Sequence, residues 1–308
     1  MVDQHLTRRA LVGTAGAGAL AAAAALAGCS SAGGEAGSSA TSGSQGKPVI
    51  LVVSFGTSYN ASRHITIGAI EDAIREQYGH EYDVRRAFTA DTIIDILKER
   101  DGIEIDNVEG ALDRCVADGV KTLVVQPTHL MDGFEYTDLA DALEEYADRF
   151  DATALGAPLL DAPKDFEAVA AALGDAMASY DDGQTAFVFM GHGTEADANA
   201  DYATMQDTFT ARGMGAYFVG TVEAEPTCED VIAAVQAAGY SRAVLSPLMV
   251  VAGDHATNDM ADTGDPESWA SKFAAAGIET TCLLVGLGQY AAIDEIYVDH
   301  VESAIATL

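Results

Sequence analysis

Two histidines and a glutamate, far apart in the chain, each stand past a short apolar run. His192 follows Phe187-Val188-Phe189-Met190-Gly191, Glu223 follows Tyr217-Phe218-Val219-Gly220-Thr221-Val222, and His255 follows the stretch Ala243 to Asp254. Neutral imidazoles bind Co2+, Ni2+, Fe2+ and Zn2+ well, and a carboxylate offsets part of the ion's charge. Three protein ligands leave a coordination position open. An imidazole with an ordinary pKa near 6.5 also accepts protons at neutral pH. His192 and His255 are therefore candidate catalytic residues as ligand, as base, or as both in sequence. Asp254 either orients the His255 ring or caps the helix that follows it.

For these residues to meet, the apolar runs must be parallel strands, which bind ligands at their carboxyl ends. Strands are expected at residues 49–55, 82–88, 121–126 and 152–155, and again at 186–190, 217–221, 243–246 and 280–284. Helical patterns separate them, among others at 61–77, 134–147, 165–178 and 268–276, and a last helix is expected near 293–306. This alternation predicts an α/β protein with two similar lobes, each a parallel sheet flanked by helices, facing each other across a cleft. The lobes are expected at residues 47–180 and 181–308.

The halves also repeat in sequence. Ser54-Phe55-Gly56-Thr57 aligns with Gly191-His192-Gly193-Thr194, and Val124-Val125-Gln126-Pro127 aligns with Val244-Leu245-Ser246-Pro247. From there Gly133 meets Gly253, and Glu135 meets His255. The first half thus carries Phe55 and Glu135 where the second carries histidines. That makes Phe55 an apolar wall and Glu135 either a cleft carboxylate or an ordinary first-turn acid. Phe88 and Met249 are core residues by default and further candidates for the cleft wall. His129 aligns with Met249 and is expected to be structural or cleft-lining, whereas His64, His80 and His300 are expected at the surface. The segment Ser54 to Ser58 lacks the glycine spacing and lysine of a phosphate loop.

Several segments together resemble the anaerobic-type cobalt chelatases of cobalamin synthesis (the CbiK family). They are Val52-Val53-Ser54-Phe55-Gly56-Thr57-Ser58, Arg86-Ala87-Phe88-Thr89, Arg100-Asp101-Gly102-Ile103, Met190-Gly191-His192-Gly193, and Pro247 through Met260, with Asp254-His255 inside it. The resemblance implies a class II chelatase fold around a tetrapyrrole cleft, with His192, Glu223 and His255 at the metal-site positions. It also implies insertion of Co2+, with Ni2+ or Fe2+ as alternatives, into sirohydrochlorin, and no organic cofactor. A different class of function fits the residues too: an extracytoplasmic lipoprotein that carries haem, another tetrapyrrole or a divalent metal to a transporter.

The remaining features bear on location and partners. Residues 1–28 read as an export leader, with Arg8-Arg9 as a twin-arginine signal, though general secretory export stays open. Leu26-Ala27-Gly28-Cys29 resembles a lipobox, which would lipidate Cys29 and hold an exported protein at a membrane. Residues 29–46 are Ser, Gly and Ala-rich and read as a tether. With 16 basic against 48 acidic residues the formal charge is −32, which excludes nucleic acid as a partner. A homo-oligomer is left open. No Cys-x-x-Cys occurs, and Cys115 and Cys282 are expected as buried thiols.

Overall fold

The computed structural model describes residues 46–308. The expected leader (1–28), Cys29 and the tether up to residue 45 lie outside the described residues. Two four-stranded parallel sheets form with the same strand order. The first is β2-β1-β3-β4 (Asp83–Phe88, Val49–Ser54, Thr122–Pro127, Ala152–Leu155). The second is β6-β5-β7-β8 (Tyr217–Thr221, Thr185–Gly191, Arg242–Pro247, Glu279–Cys282). Register repeats as well: Val53 pairs with Pro127 in one sheet and Met190 with Pro247 in the other. The fold is therefore α/β with two equivalent parallel sheets flanked by helices.

The central strands explain themselves by composition. Val49–Ser54 and Thr185–Gly191 are buried along their whole length, as strands covered on both faces must be. Side chains alternate between two cores. Ile50 and Val52 enter one core and Val49, Leu51 and Val53 another, while Phe187 and Phe189 enter the first core from the second sheet. That first core is shared by both sheets and is the apolar centre of the molecule.

Ten α-helices are present among the described residues. They are α1 (Asn60–Ile65), α2 (Ile67–Tyr78), α3 (Asp91–Asp101), α4 (Val108–Ala117), α5 (Phe134–Tyr146), α6 (Pro163–Met177), α7 (Ala200–Ala211), α8 (Cys228–Ala237), α9 (Trp269–Ala275) and α10 (Ala291–Ile305). Local chemistry sets several ends. Pro163 opens α6, and Asp165 closes back on the Ala162 N–H at 2.8 Å. Thr227 and Asp230 form a capping box on α8. The helix expected at 61–77 is broken at Thr66 (φ −117°, ψ −83°), whose hydroxyl bonds the Ser62 carbonyl at 2.6 Å.

Helices α6 and α10, each the last of its half, reach across the molecule. Helix α6 packs on α7 of the second half, α10 packs on α2 of the first, and the two pack on each other. This exchange buries His300, contrary to the surface position expected for it. On the inner side of α10 its Nδ1 lies 3.2 Å from the Ala157 carbonyl and its Nε2 3.3 Å from Asp165. Cys115 is buried as expected, but Cys282, on edge strand β8, is only half-buried. No helix of the described residues is long and apolar enough to cross a membrane.

Candidate functional site

The carboxyl ends of β5, β6 and β7 bring the expected metal residues together. His192 is the first residue after β5, and Glu223 lies two past β6. Backbone pairing continues beyond the strands, with Val222 N–H donating to Gly191 and Glu223 N–H to the His192 carbonyl at 2.8 Å. Small residues make room for this turn. Gly193 has φ +89°, and a Cβ there would meet the Ala224 nitrogen at 2.8 Å. At Gly191 a Cβ would strike the Tyr202 ring. His255 lies eight residues past β7, at the start of a short π-helix, Ala256–Met260. Such widened turns often occur at functional sites.

One ligand atom each from His192, Glu223 and His255 lies within 4.8 Å of the others. The two imidazoles meet edge to face with centroids 4.6 Å apart, and His192 Nε2 is 3.9 Å from Glu223 Oε2. Tetrahedral bonds of about 2.1 Å separate ligand atoms by about 3.4 Å, so small side-chain movements would close the set on an ion. Both Nδ1 atoms are already engaged: that of His192 with the Gly193 carbonyl and that of His255 with Asp259 Oδ2, each at 2.7 Å. This leaves each Nε2 to face the ion.

Asp259 therefore takes the orienting role that the sequence offered to Asp254. The Asp254 carboxylate instead accepts from the Tyr59 hydroxyl at 3.2 Å and from Asn258 Nδ2 at 2.8 Å, and caps no backbone N–H. Asp259 was missed because its distance from His255, four residues on, signals a contact only where a helical turn is already known.

A cavity of about 360 Å³ opens beside these ligands. It is lined from both halves, by Phe55, His129 and Glu135 of the first and His192, Met249 and His255 of the second. Phe55 is 51% exposed, and the next residue, Gly56, repeats the positive φ of Gly193. Glu135 lies exposed in the first turn of α5. Phe88 keeps its default place in the core rather than the wall, with its ring where a Cβ on Gly56 would stand. His64 and His80 are exposed. The Cys115 and Cys228 thiols are pushed up by burial, to about 11 and about 12, so both stay protonated at neutral pH.

Two equivalent α/β lobes with this cleft define a chelatase-type protein, and solved structures share the fold. SirB from Bacillus subtilis with Fe3+ superposes with a TM-score of 0.59 at 15% identity, covering 85% of this chain and 96% of that one. The chain belongs to the cobalt chelatase (CbiK) family, whose model matches residues 48–306. It is 38% identical over 259 residues to a sirohydrochlorin cobaltochelatase of Salmonella typhimurium, covering 84% of this chain and 97% of the relative. It is 35% identical over 205 residues to the sirohydrochlorin cobaltochelatase CbiKC of Nitratidesulfovibrio vulgaris, covering 66% and 72% respectively.

Proposed function

We propose that this protein is a sirohydrochlorin cobaltochelatase, with Co2+ and the tetrapyrrole as its two substrates. The observation that carries the reading is the His192, Glu223 and His255 set, an open three-ligand constellation at the wall of a cleft between two lobes. The Nε2 atoms of His192 and His255, with the Glu223 carboxylate, take Co2+ from water. Metal insertion also removes two pyrrole protons. His192 or His255, once released from the ion, and Glu135 from the first lobe are the groups of the cleft that accept them. Phe55 and Met249 supply apolar wall for the flat macrocycle. Ni2+ and Fe2+ suit the same donors, so availability selects the metal.

The test is absorbance of sirohydrochlorin with Co2+ and catalytic amounts of protein. Conversion over many turnovers supports the enzyme. Stoichiometric binding without turnover would replace it with a tetrapyrrole carrier.

We also propose that the chain is exported and anchored through lipidated Cys29, on the strength of Leu26-Ala27-Gly28-Cys29 and Arg8-Arg9. Cys29→Ser should move the protein out of the membrane fraction or leave it unprocessed. Membrane association and processing like wild type would overturn the anchor.

A further inference from the structure

His129 stands in the cleft wall of the first lobe, two residues past β3, and the reaction as described leaves it unused. Both of its ring nitrogens are buried, and neither has a hydrogen-bond partner among the described residues. Its backbone is well held, the carbonyl accepting from Leu159 N–H at 2.9 Å. Burial pushes the imidazole pKa down to about 4, so the ring is neutral and carries one N–H and one bare nitrogen. Unpaired buried polar atoms are costly, and an apolar side chain of similar size would avoid that cost. His300, also buried, shows the usual solution, with both nitrogens engaged.

The cleft's charge indicates what such a group can serve. Among the described residues no lysine or arginine lines the cavity, while Glu135 and Asp254 do. A tetrapyrrole of the sirohydrochlorin class carries carboxylates around its rim. In this cleft they must be met by neutral N–H and O–H donors. We propose that His129 is one of these donors: its ring N–H binds a rim carboxylate of the tetrapyrrole and positions the macrocycle on the lobe that lacks the metal ligands. The ring lines the cavity while its nitrogens are covered, so it must turn about Cβ–Cγ as the substrate enters. The inference rests on the tetrapyrrole reading above and adds a recognition residue to it.

The experiment compares wild type, His129→Leu and His129→Gln with metal-free sirohydrochlorin, by fluorescence titration, and with Co2+ alone. His129→Leu should melt at a higher temperature than wild type when free, bind sirohydrochlorin at least tenfold more weakly, and bind Co2+ within twofold of wild type. His129→Gln, which keeps an N–H, should recover most of the lost affinity. In the wild-type protein the His129 ring nitrogen resonances should shift when sirohydrochlorin is added, a readout that needs no variant to fold. Sirohydrochlorin affinity within twofold of wild type in a folded His129→Leu, or unmoved ring resonances in a wild type that binds, overturns the proposal. A wild type that binds no sirohydrochlorin overturns the proposed function, and this inference with it.

Discussion

The two lobes share strand order, register and even the glycine after the central strand, yet they differ in what stands at the strand ends. Beyond β5 and β7 the second lobe presents His192 and His255, whereas beyond β1 and β3 the first presents Phe55 and Glu135. Gly56 and Gly193 both take positive φ, so the same turn aims a phenyl ring into the cleft on one side and an imidazole on the other. On the proposed function, one scaffold thus serves two tasks: one lobe would hold the ion and the other would receive the macrocycle. The difference lies in a few side chains on turns the backbone keeps alike.

The largest effects should come from removing the ligands of the second lobe. His192→Ala and His255→Ala should each reduce Co2+ insertion by at least 100-fold, with circular dichroism unchanged because both side chains are partly exposed. Near-normal insertion by either variant would take that residue out of the site. The carboxylates divide the lobes more finely. Glu223→Gln should weaken Co2+ binding roughly tenfold or more without any tetrapyrrole, since it removes the anion of the set. Glu135→Gln should leave Co2+ affinity intact and slow single-turnover insertion, by roughly 10–100-fold if it accepts a proton. If Glu135→Gln lost metal affinity and Glu223→Gln kept it, the division of labour between lobes would be wrong.

Asp259 is the next test, because the first lobe has no counterpart to its bond with His255. Asp259→Asn keeps the shape but not the charge, and should cost about 10-fold in Co2+ affinity, with Asp259→Ala nearer 100-fold. Asp254→Asn should change affinity by less than threefold. A reversed order would return the orienting role to Asp254.

Much of this was legible in the sequence because it is local. Runs of four to seven residues between helical patterns located the eight strands, and the repeated Gly-Thr after β1 and β5 located the lobe equivalence. His192, Glu223 and His255 followed from their places at strand ends. What was not legible depends on packing between distant segments. The break at Thr66 falls where a hydroxyl shares the Ser62 carbonyl with its own N–H. The burial of His300 comes from α10 crossing to the first lobe, which no periodicity within α10 reveals. Asp259 reaches His255 because the chain there closes into a helical turn, which the sequence did not reveal.

The smallest predicted effect concerns the two exchanged helices, where the symmetry of the lobes fails in a different way. Each carries a buried aspartate in its first turn. Asp165 in α6 accepts from Ala162 N–H and lies beside His300, while Asp294 in α10 has an oxygen with no partner. Burial raises the Asp294 pKa from 3.8 to about 7. Between these values the folded state keeps a proton that the unfolded chain has released, so this group's contribution to stability falls as pH rises from about 4 to about 7 and then levels off. His129 acts in the opposite sense: with its pKa at about 4 rather than 6.5, it costs stability as pH falls through that range. Asp294→Asn should therefore stabilise the protein by about 1 kcal/mol at pH 8 and by little at pH 4, measured by urea denaturation across pH. Asp165→Asn should destabilise at pH 8, because it disturbs the contact with His300 and weakens the bond to Ala162. Equal effects of the two substitutions at pH 8 would mean that the aspartates are equivalent and that the exchange of α6 and α10 is symmetric in its energetics as well as its geometry.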